Sequence, residues 1–207
     1  MDATFLITAF ATLFVVIDPI GLTPIFIALT QGTDSAHRRA VGLRACLIAC
    51  GLLVLFAFLG ESVLGFIGIS MSAFRIAGGI LLFITALDML FERRTKRRED
   101  KADEDDTLPD PSVFPLAIPL VAGPGSIATI ILLMGQAQTT LDTIGVLLVM
   151  VANLAICMVL FLLSSPIERA FGRIGIVVVT RLLGMLLAAL SVQFVLDGLR
   201  DFGIGTG

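Results

Sequence analysis

Long apolar stretches separated by short polar ones run through the whole chain. Six of these stretches are long enough to cross a bilayer, because a helix rises about 1.5 Å per residue and the hydrocarbon core is roughly 30 Å thick. The pattern therefore predicts an all-α fold, a polytopic membrane protein with six transmembrane helices. The predicted spans are about 5–29, 41–60, 72–91, 113–134, 143–163 and 176–196.

A carboxylate, two prolines and a glycine interrupt the first of these spans. The segment is Asp18-Pro19-Ile20-Gly21-Leu22-Thr23-Pro24, and it lies inside the apolar run from Ala3 to Thr30. A charge at mid-depth in a bilayer is costly, and each proline leaves the carbonyl four residues earlier without its helical hydrogen bond. Such a segment is tolerated only where it lines a cavity or is buried in protein, so the first helix is predicted to be broken here.

The fourth span carries a matching interruption, Pro119-Leu120-Val121-Ala122-Gly123-Pro124-Gly125. Its prolines, Pro119 and Pro124, have the same spacing as Pro19 and Pro24 and follow them by one hundred residues. Helices broken at corresponding places in two halves of a chain are typical of secondary transporters, in which substrates bind at the breaks. The alternative is that the prolines only kink tightly packed helices.

Two further motifs recur in the second half of the chain. Gly65-Phe66-Ile67-Gly68-Ile69 returns as Gly172-Arg173-Ile174-Gly175-Ile176, and Arg75-Ile76-Ala77-Gly78 returns as Arg181-Leu182-Leu183-Gly184. Each half then holds three spans, and an odd number makes the second half enter the membrane from the opposite side. The sequence therefore predicts two inverted three-helix repeats, with helices one and four broken.

An abrupt change of composition marks the boundary between the halves. The chain as a whole is 57% hydrophobic and 15% charged, which excludes a soluble domain, where about a quarter of residues are charged. Between residues 92 and 110 basic and then acidic side chains follow in blocks, a pattern typical of a disordered tether. We therefore predict a first three-span repeat (1–91), a charged linker (92–110) and a second three-span repeat (111–207).

The distribution of basic residues predicts the orientation. Twelve of the fourteen Lys and Arg residues fall in the first, third and fifth loops, and basic loops remain on the cytoplasmic side of a membrane. The linker is thus expected in the cytoplasm and both termini on the opposite, periplasmic side.

The two breaks supply the candidate binding groups. Unwinding around Gly123-Pro124-Gly125 would expose the N–H groups of a half-helix starting near Ser126, and these suit a substrate carboxylate. At the first break, Asp18 and the carbonyls of Val15 and Ile20, freed by the prolines, are placed to hold an ammonium group, a proton or Na⁺.

Hydroxyl and amide side chains within the later spans complete this set. Ser126 and Thr129 offer hydroxyl groups, and Asn153 contacts either the substrate or a neighbouring helix. The candidate substrate- or ion-binding residues are Asp18, Pro19, Gly21, Pro24, Pro119, Gly123, Pro124, Gly125, Ser126, Thr129 and Asn153.

Other kinds of chemistry find little support in the sequence. Cys46, Cys50 and Cys157 lie in apolar runs and are interpreted as packing residues, and the lone His37 is interpreted as a solvated loop residue. No metal-ligand spacing and no nucleophile beside a base can be recognised. We therefore expect no enzyme activity, no metal, no cofactor beyond possible H⁺ or Na⁺ coupling, and no nucleic-acid partner.

These motifs together resemble the MarC family of integral membrane proteins. The resemblance covers nearly the whole chain except the linker, and it implies a six-span bacterial inner-membrane protein, some relatives being assigned to transport of small neutral amino acids. In the family the position of Asp18 is held by Asp or Asn. The motifs that carry the resemblance are Asp18-Pro19-Ile20-Gly21 with Pro24, Leu116-Ala117-Ile118-Pro119 running into Ala122-Gly123-Pro124-Gly125, Arg75-Ile76-Ala77-Gly78-Gly79, and Arg181-Leu182-Leu183-Gly184 with Val192-Gln193-Phe194.

The leading functional hypothesis is a secondary transporter of small neutral amino acids or similar small zwitterions. The alternatives are an uncoupled channel or efflux pore, and a membrane scaffold that transports nothing. The expected partners are the lipid bilayer and a small-molecule substrate. The oligomeric state, the coupling ion and the direction of transport are left open by the sequence.

Overall fold

The computed structural model describes residues 3–91 and 110–204, except for the side chains of Glu168 and Arg173. All regular secondary structure in this part of the chain is helical. The predicted linker therefore lies outside the described residues apart from Asp110. The helices are α1 (Ala3–Ile17), α2 (Thr23–Leu29), α3 (Ser35–Ile67), α4 (Met71–Leu90), α5 (Ser112–Val121), α6 (Pro124–Gln136), α7 (Thr140–Leu162) and α8 (Ser164–Asp201).

Length and composition identify the helices that can cross a membrane. Within the described ranges α3, α4, α7 and the part of α8 from Ile174 to Asp201 are each long and apolar enough. The pair α5 and α6, bent by 53° at the residues between them, adds a fifth span if the two are counted together. The all-helical, multi-pass fold is thus confirmed, while a sixth span formed by the 15-residue α1 with α2 stays a prediction.

Polar side-chain caps mark the starts of three of the long helices, α3, α4 and α7. Asp34 accepts the N–H of His37 at 2.9 Å ahead of α3, and Ser70 accepts that of Ala73 at 3.2 Å ahead of α4. Before α7, Thr139 forms a reciprocal capping box with the residue three positions later. Each cap satisfies N–H groups that the first turn of a helix leaves unpaired, so helix ends are placed by short polar motifs at the edges of the apolar runs.

Two helices extend well beyond the predicted spans. The sequence predicts spans starting near residues 41 and 176, whereas α3 starts at Ser35 and α8 at Ser164. The first turns are polar but helical, because Asp34 caps α3 and Pro166 falls in the first turn of α8, where a proline is tolerated. The predicted loop around Gly172 is a break within α8, since that glycine has φ +63° and ψ 171°.

Helix α4 packs against the C-terminal half of α8, and the two helices run in opposite directions. A Cβ atom added to Gly79 would lie 2.7 Å from the Ser191 carbonyl oxygen and 3.1 Å from the Val195 nitrogen. Towards the start of α4, a Cβ atom on Gly198 would lie 2.7 Å from Ile76 Cγ1. Small residues allow the two backbones to approach this closely, as at many membrane helix contacts.

Most other packing also joins the first half of the chain to the second. Helix α3 lies against α5, α6 and α7, α1 lies against α6, α7 and α8, and α2 lies mainly against α8. Helices α1 to α4 make no comparably extensive contact with one another in the described ranges. Cys46 and Cys157 are buried between α3 and α7 as free thiols, consistent with their interpretation as packing residues. The core is therefore shared by the two halves and belongs to neither alone.

Two ion pairs join residues that lie far apart in the sequence. Arg44 Nη1 lies 2.5 Å from Asp110 Oδ2, and Arg75 Nη1 lies 2.5 Å from Asp201 Oδ2. Hydrogen bonds from the Ser112 hydroxyl and amide lower the pKa of the Asp110 carboxyl, and the nearby charge of Arg44 lowers it by a smaller amount. Exposed pairs contribute about 0–1 kcal/mol, so we assign the pair of Arg44 and Asp110, whose side chains are 55% and 30% exposed, a minor part in stability.

Candidate functional site

The first break is organised by Asp18. Helix α1 ends at Ile17, and Asp18 then adopts φ +52°, a left-handed conformation that Asp and Asn tolerate better than most residues. Its side chain is 2% exposed. The carboxylate oxygen Oδ1 accepts the N–H of Gly21 at 3.1 Å. The acid therefore shapes the turn in which it lies.

Gly21 provides the space that this carboxylate occupies. A Cβ atom at Gly21 would lie 2.1 Å from Asp18 Oδ2 and 2.9 Å from the Thr180 hydroxyl oxygen of α8. Both oxygens adjoin the same point, so they are at most about 5 Å apart. The Thr180 oxygen is buried and has no hydrogen-bond partner. We refer to Asp18, Gly21 and Thr180 as the first-break cluster.

The Ile20 carbonyl at this break is less available to a ligand than the sequence suggests. Pro24 frees the Ile20 carbonyl from its helical partner, but that oxygen accepts the Thr23 N–H at 3.1 Å and the Thr23 hydroxyl at 2.7 Å. The expectation that Ile20 offers an open carbonyl ligand is therefore wrong. Pro19 lies within the turn and Pro24 in the first turn of α2, so both shape the backbone of the break.

The second break begins with the irregular turns of α5. Phe114, Ile118 and Pro119 have non-helical backbone angles, and the Ala122 N–H reaches back five residues to the Ala117 carbonyl at 2.9 Å. Helix α6 then starts at Pro124 with Gly123 as its N-cap. The interruption predicted in the fourth span is thus present.

Some polar groups of the loop between α5 and α6 form hydrogen bonds with each other. The Ser126 hydroxyl lies 2.7 Å from the Val121 carbonyl and 3.0 Å from the Gly123 carbonyl, and it donates to them. A Cβ atom on Gly123 would lie 2.4 Å from the Pro119 carbonyl oxygen. Gly123 is therefore required by the shape of this loop, and Ser126 donates its hydroxyl proton within the loop.

Gly125 brings the two breaks together. A Cβ atom at Gly125 would lie 3.2 Å from Val16 Cγ1 of α1 and 3.2 Å from Leu82 Cδ2 of α4. Val16 precedes Asp18 by only two residues, so the start of α6 lies against the last turn of α1. The N–H groups of Gly125 and Ser126 have no acceptor within their own helix, and the positive end of the helix dipole lies there. A cavity shared by Asp18 and Gly123 stays a prediction.

Thr129 and Asn153 present unpartnered oxygens inside the protein. Both side chains are 0% exposed. The Asn153 amide donates to the Val149 carbonyl at 3.0 Å and to the Phe10 carbonyl of α1 at 3.5 Å, while its Oδ1 atom has no partner. The Thr129 hydroxyl oxygen also has none. An unsatisfied polar atom in a membrane interior costs several kcal/mol, so these oxygens are candidates for contact with a ligand.

Sequence reasoning did not select Thr180. Its residue type is unremarkable within an apolar span, and only the fold places it beside Gly21. The available signal was its position directly before the recurring motif that starts at Arg181. The structure thus adds one hydroxyl to the predicted set of site residues.

Comparisons with known proteins agree over nearly the full chain. The family model described as MarC family integral membrane protein matches residues 3–202. A UPF0056 membrane protein of Methanocaldococcus jannaschii is 36% identical over 203 residues, which is 97% of this chain and 98% of that protein. One from Archaeoglobus fulgidus is 40% identical over 202 residues, 96% and 93% of the two chains. The UPF0056 membrane protein YhcE of Escherichia coli is 34% identical over 194 residues, 92% and 90% of the two chains. No solved structure matches.

Proposed function

This chain belongs to the MarC family of integral membrane proteins, and from that premise we propose that it is a secondary transporter of small neutral amino acids or similar small zwitterions. The observation that carries the proposal is the contact between the two breaks. A buried carboxylate follows the last turn of α1, and the amino end of α6 lies against that same turn. Opposite charges on a zwitterion match these two groups.

We propose further that the architecture is a pair of inverted three-helix repeats with six spans. The antiparallel packing of α4 on α8, which are the third helices of the two halves, supports this arrangement. So do the two breaks, each at the start of a half, and the packing of each half mainly on the other. In this arrangement α1 and α2 together form the first span.

The proposed binding mode assigns one group to each charge. The N–H groups of Gly125 and Ser126 hold the substrate carboxylate at the positive end of α6. Asp18, with the Thr180 hydroxyl, holds the ammonium group or the coupling cation, H⁺ or Na⁺. The unpartnered oxygens of Thr129 and Asn153 are available to the rest of the substrate. A small substrate side chain is favoured because Val16 and Leu82 lie close to Gly125, 3.2 Å from the position a Cβ atom would take there.

Counterflow tests the proposal. Liposomes containing the purified protein are loaded with one unlabelled amino acid at a time, and labelled amino acid is added outside. A transporter should accumulate the label transiently, and its initial rate should saturate with concentration. Amides and amines that lack one of the two charges are the matched controls and should not be exchanged. Flux that rises without saturation would indicate a pore, and no flux with any small neutral zwitterion would favour a scaffold.

For localisation, we propose a bacterial inner membrane with residues 92–110 in the cytoplasm and both termini in the periplasm. A cysteine introduced as Thr107→Cys, with the native cysteines replaced, should react with an impermeant maleimide only after the inner membrane is opened. The control Asp2→Cys should react in cells whose outer membrane alone is permeable. Labelling of position 107 under that second condition would contradict the orientation.

A further inference from the structure

A cavity of about 510 Å³ opens where α2, α3 and α7 meet, at the end of the molecule that carries the first and fifth loops. Its lining combines two arginines with aromatic and aliphatic walls, a mixture unlike that of the two breaks. The lining residues are Phe26, Ser35, Ala36, Arg38, Arg39, Phe161 and Leu162.

The guanidinium of Arg38 is held rigidly at this cavity. Its Nη1 atom donates to the Ser165 hydroxyl at 3.0 Å and its Nη2 atom to the Ser164 hydroxyl at 3.0 Å. Its central carbon lies 5.7 Å from the centroid of the Phe26 ring, which stacks on Phe161 at 4.6 Å. A guanidinium held this way loses little further side-chain entropy when it binds an anion.

Neither arginine at this cavity forms an ion pair with a carboxylate whose side chain the structure describes; the nearby Asp34 carboxylate caps α3 by accepting the His37 N–H. The ion pairs of Arg44 with Asp110 and of Arg75 with Asp201 lie elsewhere, and neither includes Arg38 or Arg39. Arg38 has neutral hydroxyl partners, and Arg39 is exposed beside it. Both arginines lie in the first two turns of α3, where the helix dipole is also positive. The cavity therefore favours an anion.

The walls of the cavity show which kind of anion fits. Phe26 and Phe161 form its floor, and Leu162, 48% exposed, continues onto the apolar outer surface together with Leu163, which is 46% exposed. Helices α3 and α7 are both long enough to span the membrane, so this end of them lies at the level of lipid headgroups. A ligand with an anionic head and an apolar body satisfies both kinds of surface.

We propose that this cavity binds an anionic phospholipid from the surrounding leaflet, with the phosphate at Arg38 and Arg39 and an acyl chain along Leu162 and Leu163. The site is separate from the two breaks and does not depend on the transport proposal. Its chemistry is that of a phosphate monoanion bound by guanidinium groups, with apolar contact beyond the headgroup.

Lipid binding by the purified full-length protein tests the site. Native mass spectrometry with phosphatidylglycerol added to the detergent solution should show retained lipid, and phosphatidylcholine should be retained far less. Arg39→Gln and Arg38→Gln should each weaken retention of phosphatidylglycerol by about tenfold, since a charge-assisted hydrogen bond is worth about 1.5–3 kcal/mol. Arg44→Gln is the matched control, because it removes the same charge from the same helix but from an ion pair with Asp110. It should leave retention unchanged.

The outcomes separate the possible ligands. Arg38→Gln also removes two hydrogen bonds to α8, so Arg39→Gln decides the question if the first variant does not fold. Equal retention of phosphatidylglycerol by wild type and Arg39→Gln would overturn the site. Stabilisation by inorganic phosphate alone that matches that of the lipid would overturn the assignment to a phospholipid, and so would equal binding of phosphatidylcholine.

Discussion

Gly79→Leu should eliminate folded protein. The new side chain would enter a close contact between α4 and α8, where its Cβ atom alone would lie 2.7 Å from the Ser191 carbonyl oxygen and 3.1 Å from the Val195 nitrogen. Both are backbone atoms within a helix and cannot move aside without separating the two helices. Overpacking of this kind costs about 1–3 kcal/mol or more, and here it acts on the most extensive contact between two helices in the described residues. The measurement is the yield of monodisperse protein on size-exclusion chromatography, together with its thermal midpoint.

Gly51→Leu provides the control. Gly51 lies in the middle of α3, and a Cβ atom there would have no neighbour within 4 Å. Leucine is a better helix former than glycine by up to about 1 kcal/mol, so this variant should be as stable as wild type or slightly more so. If the two variants lost protein equally, the cause would be leucine in a membrane helix in general, and the close contact at Gly79 would not be limiting.

The second large effect concerns transport, and it should follow from Asp18→Asn. Asparagine also tolerates the left-handed conformation of this residue, and its amide oxygen can accept the Gly21 N–H as the carboxylate does. The fold should therefore persist, while the negative charge proposed to hold the ammonium group or coupling cation is lost. We expect at least about a tenfold loss of gradient-driven accumulation in proteoliposomes, the size of a lost charged interaction of 1.4 kcal/mol or more.

Two variants of the same turn separate charge from shape. Asp18→Ala removes both the charge and the acceptor for Gly21, so it should lower the yield of folded protein as well as transport. Gly21→Ala keeps the charge, but its methyl carbon would lie only 2.1 Å from Asp18 Oδ2. This variant should therefore lower transport by displacing the carboxylate. Wild-type accumulation by Asp18→Asn would exclude the carboxylate from coupling, even if counterflow had already shown transport.

The breaks could be predicted from sequence because they depend on covalent chemistry. A proline has no N–H wherever it lies, and an aspartate inside an apolar run must either bind something or be buried, so Asp18 to Pro24 and Pro119 to Gly125 stand out without any knowledge of the fold. The contact between α4 and α8 could not be predicted from the sequence in the same way. Its glycines and serine are ordinary residues in a membrane helix until the fold shows which partner they approach.

The hydrogen-bond partners of individual atoms are harder to predict, because they depend on angles that a sequence does not specify. The Ile20 carbonyl is freed by Pro24, as expected, yet Thr23 turns back and occupies it. The Ser126 hydroxyl donates to a carbonyl of its own loop. Thr180, far away in the sequence, lies beside Gly21 in the fold. The observed helix ends differ from the predicted ones for a related reason. Hydrophobicity indicates which part of a helix lies in lipid, whereas a cap such as Asp34 determines where the helix starts.

The dependence of each half on the other has a consequence for biosynthesis. A ribosome delivers α1 to α4 before the helices on which they pack have been made, and α8, the partner of α4, is the last to emerge. Until then the side of α4 around Gly79 has only lipid or the insertion machinery beside it, because its close neighbours Ser191 and Val195 belong to α8. A nascent chain that stops after residue 91 should therefore be degraded by membrane proteases, whereas the same half should survive when the remainder is supplied as a separate polypeptide in the same cell.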